Sequence, residues 1–151
     1  MRYFLDTEFN SFGGALLSLA LVPEDGGEEY YAILDWSGEL DPWVERNVIP
    51  YLDTVPDGLV GPRLSRADAA AALAHYLAPD PAPELIADWP EDIAQLSMLL
   101  LTGPGLMAPV PPLTFRLLTL GNWSAAENSA VPHNALHDAR ALRDHVLMMK
   151  G

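Results

Sequence analysis

Asp6 and Glu8 stand two residues apart inside the apolar opening run Arg2-Tyr3-Phe4-Leu5-Asp6-Thr7-Glu8-Phe9, and this spacing constrains the fold more than any other feature. Side chains at i and i+2 of a strand share a face, so both carboxylates converge on one spot. Two like charges on a largely apolar strand are costly unless something positive compensates them. A divalent cation is the natural partner, because Mg²⁺ and Mn²⁺ prefer hard oxygen ligands. The alternative is an edge strand with a solvated polar face, and the pair alone does not separate the two.

The 151 residues suit a single domain spanning 1–151, and a hydrophobic share of 50% makes the chain globular rather than disordered. No cysteine is present, so disulfides, thiolate nucleophiles and Cys-ligated zinc are excluded. The opening residues lack the apolar run and cleavage site of a signal peptide, and no segment reaches the roughly 18–20 apolar residues of a membrane span. These features point to a cytoplasmic protein without a membrane partner. Eight Lys+Arg against 21 Asp+Glu give a net charge of −13, the wrong sign for gripping long nucleic acid through its phosphates. Any nucleic-acid reading must therefore rest on a local site with bound cations. That charge weighs against a non-catalytic duplex binder more than against an enzyme acting on strand ends.

Strand patterns dominate the first half of the chain. Arg2–Phe9 reads as a strand, as does the apolar run Ala15–Val22 between Gly13-Gly14 and Pro23. Glu29–Trp36, rich in Tyr and Ile, is a third, and Asp25-Gly26-Gly27 between the two signals a hairpin. Asp41 as N-cap and Pro42 at the first helical position predict a helix to about Leu52. Ser65 with Asp68 approximates a capping box and opens an Ala-rich helix to about Ala78. Beyond the breaker Pro79–Pro83, the pattern predicts a strand over Glu84–Asp88 and a helix over Glu91–Leu101. A Pro/Gly loop over Gly103–Pro112 follows, then a strand over Leu113–Leu120, a loop over Gly121–Pro132 and a last helix over Asn134–Met149. Five strands with this order of helices imply an α/β fold, a mixed sheet flanked by helices.

Other polar residues gather at the ends of these elements. Asp88 and Asp92 bracket the turn Asp88-Trp89-Pro90-Glu91-Asp92, at the carboxyl end of a strand, where α/β sites usually form. Asp88 reads first as a helix cap, Glu91 as a solvated helix-start charge, and Asp92 as a ligand candidate reaching toward the first strand. His133 falls before the final helix and Asp138 one turn inside it, so both can reach one pocket. His137 points about a third of a turn away from Asp138, and His75 and His145 have no carboxylates grouped around them. A lone histidine is also commonly a satisfied polar residue. No Ser-His-Asp order, phosphate-binding Gly loop or zinc-ligand spacing occurs, so the carboxylates are the signal.

Phe4-Leu5-Asp6-Thr7-Glu8-Phe9, an Asp opening a mid-chain helix, and His133-x-Ala135-x-x-Asp138-Ala139 together resemble the DEDDh branch of the DnaQ-like exonucleases. The resemblance runs from Arg2 to about Leu147. The segment Trp89-Pro90-Glu91-Asp92-Ile93 is similar to the small bacterial, mycobacterial-type 3′–5′ exoribonucleases. In the family's second motif, Asn is followed four residues later by Asp; Asp88 stands at the Asn position here and Asp92 at that of the ligand.

The resemblance implies a ribonuclease H-like fold with a five-stranded mixed sheet. It implies two divalent ions, Mg²⁺ or Mn²⁺, held by Asp6, Glu8, Asp92 and Asp138, with His133 as general base. Two metals about 3.5–4 Å apart stabilise the attacking and leaving oxygens of an in-line displacement. Single-stranded 3′ ends, RNA favoured over DNA, would release 5′-nucleoside monophosphates, and the family habit implies a homodimer. Phe9, Asn10, Ser11 and Phe12 are placed to meet the terminal sugar and base, while core positions for Phe9 and Phe12 are the alternative. Arg63, Arg66, Arg116, Arg140 and Arg143 are the cations available for phosphates. Two other readings stay open: an inactive nuclease-like interaction module, and an enzyme acting on nucleotides or dinucleotides, which an acidic surface tolerates better.

Overall fold

Strand β1 (Arg2–Phe9) lies at the centre of a five-stranded sheet because both of its edges find partners. On one side it pairs antiparallel with β2 (Leu16–Pro23), which pairs antiparallel with β3 (Tyr30–Ile33). On the other side it pairs parallel with β4 (Glu84–Ala87), which pairs parallel with β7 (Thr114–Leu117). The order β3-β2-β1-β4-β7 makes an α/β mixed sheet, as the strand count predicted. The computed structural model describes residues 1–150. Among these, no helix is long and apolar enough to cross a membrane.

The alternation of β1 sorts its side chains between two cores. Tyr3 and Leu5 face the layer formed by α2 (Arg66–Leu77) and α3 (Pro90–Leu100), where Leu73, Leu77, Leu96 and Leu99 are buried. Phe4 faces the opposite layer with Ile86, against Leu142 and Val146 of α5 (Ala135–Lys150). Ser65 caps α2 by accepting from the Asp68 N–H at 3.1 Å, as the sequence indicated.

Four expectations need correction. β3 stops at Ile33 rather than Trp36, because Leu34 bridges Leu64 and the Asp35 N–H donates to the Leu64 carbonyl. The helix expected from Pro42 to Leu52 ends at Asn47 as α1, and the chain goes on as a 3-10 turn over Ile49–Tyr51. Pro50 has no N–H to continue the α-helical ladder, and its ring crowds the preceding turn. The loop expected over Gly103–Pro112 holds part of a two-stranded hairpin, β5 (Leu101–Gly103) with β6 (Leu106–Met107). Its turn is Pro104-Gly105, and Gly105 takes the positive φ of 69° that such a turn requires. The loop over Gly121–Pro132 contains the short α4 (Ala125–Asn128).

The layer argument separates neighbouring positions on α3. Leu96 is fully buried, whereas Met98 is 58% exposed. Leu96→Ala is expected to lower unfolding stability by about 2–5 kcal/mol in urea titrations, and Met98→Ala by less than about 0.5 kcal/mol. Equal losses would contradict this placement of the core.

Candidate metal centre

The face of β1 that carries Phe4 also carries Asp6 and Glu8, opposite Ala20 and Ser18 of β2. Helix α5 covers this face. Its Ala135 and Ala139 are fully buried against Ala20 and Val22, and their small side chains let the helix lie close to the strands. That approach brings the buried Asp138 to Glu8, close enough for each carboxylate to act on the other. His133, Glu8 and Asp138 place ligand atoms within 4.8 Å of one another.

Asp92 arrives from the other helical layer. Pro90 starts α3, and Asp92 lies in its first turn, 3% exposed. Thr7 donates to Asp92 Oδ1 twice, from its backbone N–H at 3.2 Å and its hydroxyl at 2.6 Å. Thr7 therefore fixes the orientation of the Asp92 carboxylate beside Asp6.

Asp88 departs from expectation. The N-cap residue of α3 is Trp89, which makes no side-chain cap bond. Asp88 does not cap the helix; it lies with Asp6 and Asp92, all three ligand atoms within 4.8 Å of one another. Glu91 lies in the first turn of α3, as the sequence indicated, and it also accepts from the Gly13 N–H at 2.9 Å, which ties the β1–β2 turn to α3.

His133 occupies the left-handed region with φ of 65°. Its ring meets Trp43 of α1 edge-on, with ring centres 4.8 Å apart and planes at 79°. Asn134 anchors the next position: its Oδ1 accepts from the Leu136 and His137 N–H groups, and its Nδ2 donates to the Tyr51 carbonyl at 2.9 Å. His137 is engaged elsewhere, its Nε2 lying 2.8 Å from the Thr54 carbonyl.

Of the four residues expected to bind substrate, three line the cleft and one does not. Phe9, Ser11 and Phe12 line a cleft of about 1000 Å³ that also contains Asp6, Glu8, Asp88, Asp92 and Asp138. Phe12 is 94% exposed, which removes it from the core. Asn10 is the correction. Its Oδ1 accepts from the Asp41 N–H at 2.8 Å and its Nδ2 donates to the Glu39 carbonyl at 2.9 Å, so its amide is committed to the backbone. Trp43, Trp89 and Trp123 also line the cleft, and sequence reasoning did not single them out for it. Their only sequence signal is an aromatic beside an acidic or helix-start residue. No Lys or Arg lines the cleft. Arg63, Arg116, Arg140 and Arg143 pair instead with Asp53, Glu84, Glu29 and Asp144, while Arg66 borders a neighbouring groove beside Phe12.

Burial and like charge govern the electrostatics. Burial, followed by the charges of Asp92, Asp138 and Glu8, pushes Asp6 well above the usual carboxylate range. Burial and then Asp138 and Asp92 do the same to Glu8. Burial lifts Asp92 to about 7, opposed by the Thr7 hydrogen bonds, and lifts Asp138 to about 6. Asp88 is raised and His133 lowered, each by burial. Two oxygens, Asp6 Oδ2 and Asp138 Oδ1, are buried without any hydrogen-bond partner. Orphaned carboxylate oxygens in two acidic groups fit the ligand set of a hard divalent cation. The acidic clusters can thus bind metal ions. No protein-family model matches the chain, and no curated protein matches it in sequence.

The shifts set a pH dependence for the metal-free protein. A carboxyl whose folded pKa is raised contributes stability fully present below its unfolded value and lost as pH rises through the folded value. For Asp92 the window runs from 3.8 to about 7, and for Asp138 from 3.8 to about 6. Thermal melts of metal-free protein should therefore show Tm falling by at least about 4 °C across that window, at roughly 1.4 kcal/mol per pKa unit. Millimolar Mn²⁺ added near neutral pH should restore it. A Tm that ignores both pH and Mn²⁺ would contradict this account.

Proposed function

We propose that the chain is a metal-dependent 3′–5′ exonuclease with a ribonuclease H-like fold, acting on single-stranded 3′ ends and favouring RNA over DNA. The observation that carries this reading is that Asp6, Glu8, Asp92 and Asp138 line one open, aromatic-walled cleft, with His133 in ligand distance of Glu8 and Asp138 and against Trp43 of the cleft wall. The order of these residues along the chain, and the small Ala135 and Ala139 beneath Asp138, agree with the family resemblance.

Asp6, Glu8, Asp92 and Asp138 would hold two Mg²⁺ or Mn²⁺ ions, with Asp6 central to the acidic groups. When bound, such ions lower the pKa of an attacking water and neutralise charge developing on the phosphate. His133 accepts the water's proton at a ring nitrogen. Burial keeps its pKa below the ordinary histidine value, so the ring is neutral and basic near pH 7. The water oxygen bonds to phosphorus, the bond to the 3′ oxygen of the penultimate nucleotide breaks, and that oxygen leaves with a proton. The product is a 5′-nucleoside monophosphate.

Around this centre, Thr7 keeps Asp92 oriented, and the exposed faces of Phe12, Trp43 and Trp89 offer sequence-tolerant stacking surfaces for bases. The lack of Lys and Arg along the cleft, together with the net charge of −13, favours short substrates over long ones. The inactive interaction module has no comparable support, since buried, unpartnered carboxylates are a cost that a mere binding surface does not need.

Purified protein with Mn²⁺ or Mg²⁺ is expected to shorten 5′-labelled single-stranded oligonucleotides from the 3′ end, RNA faster than DNA. His133→Ala should lower kcat by roughly 10²–10⁴-fold while circular dichroism stays unchanged. Dinucleotides should be cleaved at least as fast as 20-mers. Intact RNA and DNA after incubation with either metal would falsify the exonuclease reading.

A further inference from the structure

We propose that Asp88 completes an all-carboxylate cation site with Asp6 and Asp92, separate from the Glu8, His133 and Asp138 group, and that this site holds its cation without help from a substrate. The inference rests on reading the cleft as a metal centre, and it does not depend on the exonuclease reading.

The ligand atoms of Asp6, Asp88 and Asp92 lie within 4.8 Å of one another, close enough for one ion to reach all three. Each carboxylate is accounted for differently. Asp6 is 9% exposed, lines the cleft, and its Oδ2 is buried with no hydrogen-bond partner. Asp92 spends Oδ1 on the two donors of Thr7, which orients the group and leaves Oδ2 for a cation. Asp88 follows β4 directly, is half-buried, and does no capping work for α3. None of the ion pairs formed by the described residues involves Asp6, Asp88 or Asp92. Three carboxylates packed this closely, without a protein cation, need a positive charge from outside.

The two groups also differ in ligand chemistry. Asp6, Asp88 and Asp92 offer oxygen alone, which suits Mg²⁺, Mn²⁺ or Ca²⁺. In the Glu8, His133 and Asp138 group the imidazole is kept as a base, so the other ion would rest on Glu8 and Asp138 with Asp6 beside them. Two carboxylates would hold a second ion only loosely until a phosphate supplied further oxygens. A third carboxylate from Asp88 makes the protein itself a sufficient host.

The test is Mn²⁺ binding to metal-free protein in the absence of nucleic acid, by calorimetry and electron paramagnetic resonance. Wild type is expected to bind two Mn²⁺ per chain and to give a spin-coupled spectrum. Asp88→Asn, nearly isosteric, should weaken one of the two sites at least tenfold and leave the uncoupled six-line signal of a lone Mn²⁺. Glu8→Gln should weaken the other site and spare the one that contains Asp88. Circular dichroism checks that each variant folds, and Asp88→Ser replaces Asp88→Asn if the latter does not. A single Mn²⁺ per wild-type chain whose binding Asp88→Asn leaves unchanged overturns the proposal, and so does Asp88→Asn binding both ions within twofold of wild type. A chain that binds two Mn²⁺ in this pattern yet cleaves no nucleic acid supports the site and overturns the exonuclease reading alone.

Discussion

Like charges gathered out of water dominate this protein. Asp6, Glu8, Asp88, Asp92 and Asp138 are among seven acidic residues that line one cleft in which no Lys or Arg offsets them. Such a group can exist only by holding protons or by holding cations. The sheet and both helical layers serve that crowding: β1 presents two of the acids, α3 and the turn before it bring two from one side, and α5 brings one from the other. Tight apolar packing around them supplies the free energy that the acids subtract. Deep in the fold, Phe4, Leu5, Ile86 and Leu142 are almost completely removed from water, and they surround the strand positions from which the carboxylates project.

Two asparagines then hold the segment that carries Trp43. Asn10, at the end of β1, bonds the backbone of Glu39 and Asp41, while Asn134, at the start of α5, bonds the carbonyl of Tyr51. The segment that includes α1 is thus pinned near both ends by side-chain amides, each bond contributing about 1 kcal/mol. Trp43 lies between these pins, against His133. Position along the chain says nothing of this arrangement, because the partners of Asn10 are some 30 residues away and those of Asn134 more than 80.

This contrast explains what could be read from the chain alone. The i, i+2 spacing of Asp6 and Glu8 and the capping residues Ser65 and Asp41 are local rules, and each appears where its physics puts it. The end of α1 followed another local rule, the missing N–H of Pro50, whose weight the apolar pattern hid. The contacts of Asn10, Glu91 and Asp88 are not legible locally, because their partners are brought by tertiary packing. A side chain after a strand reads the same whether it caps a helix, binds a ligand or ties down a loop. Only the fold decides, as it does when the Gly13 N–H meets Glu91. Gly14 makes the same point: a Cβ there would lie 1.7 Å from the Asn10 carbonyl oxygen, so the turn that presents Phe12 depends on a hydrogen.

The left-handed backbone at His133 has a consequence for how such a site persists. Non-glycine residues enter this region uncommonly, histidine more readily than most, and glycine would carry no steric penalty there at all. Glycine would satisfy the backbone there equally well, but it would remove the imidazole from beside Glu8 and Asp138. Keeping a histidine in that conformation, within ligand distance of Glu8 and Asp138, is a local cost that the surrounding packing has to offset.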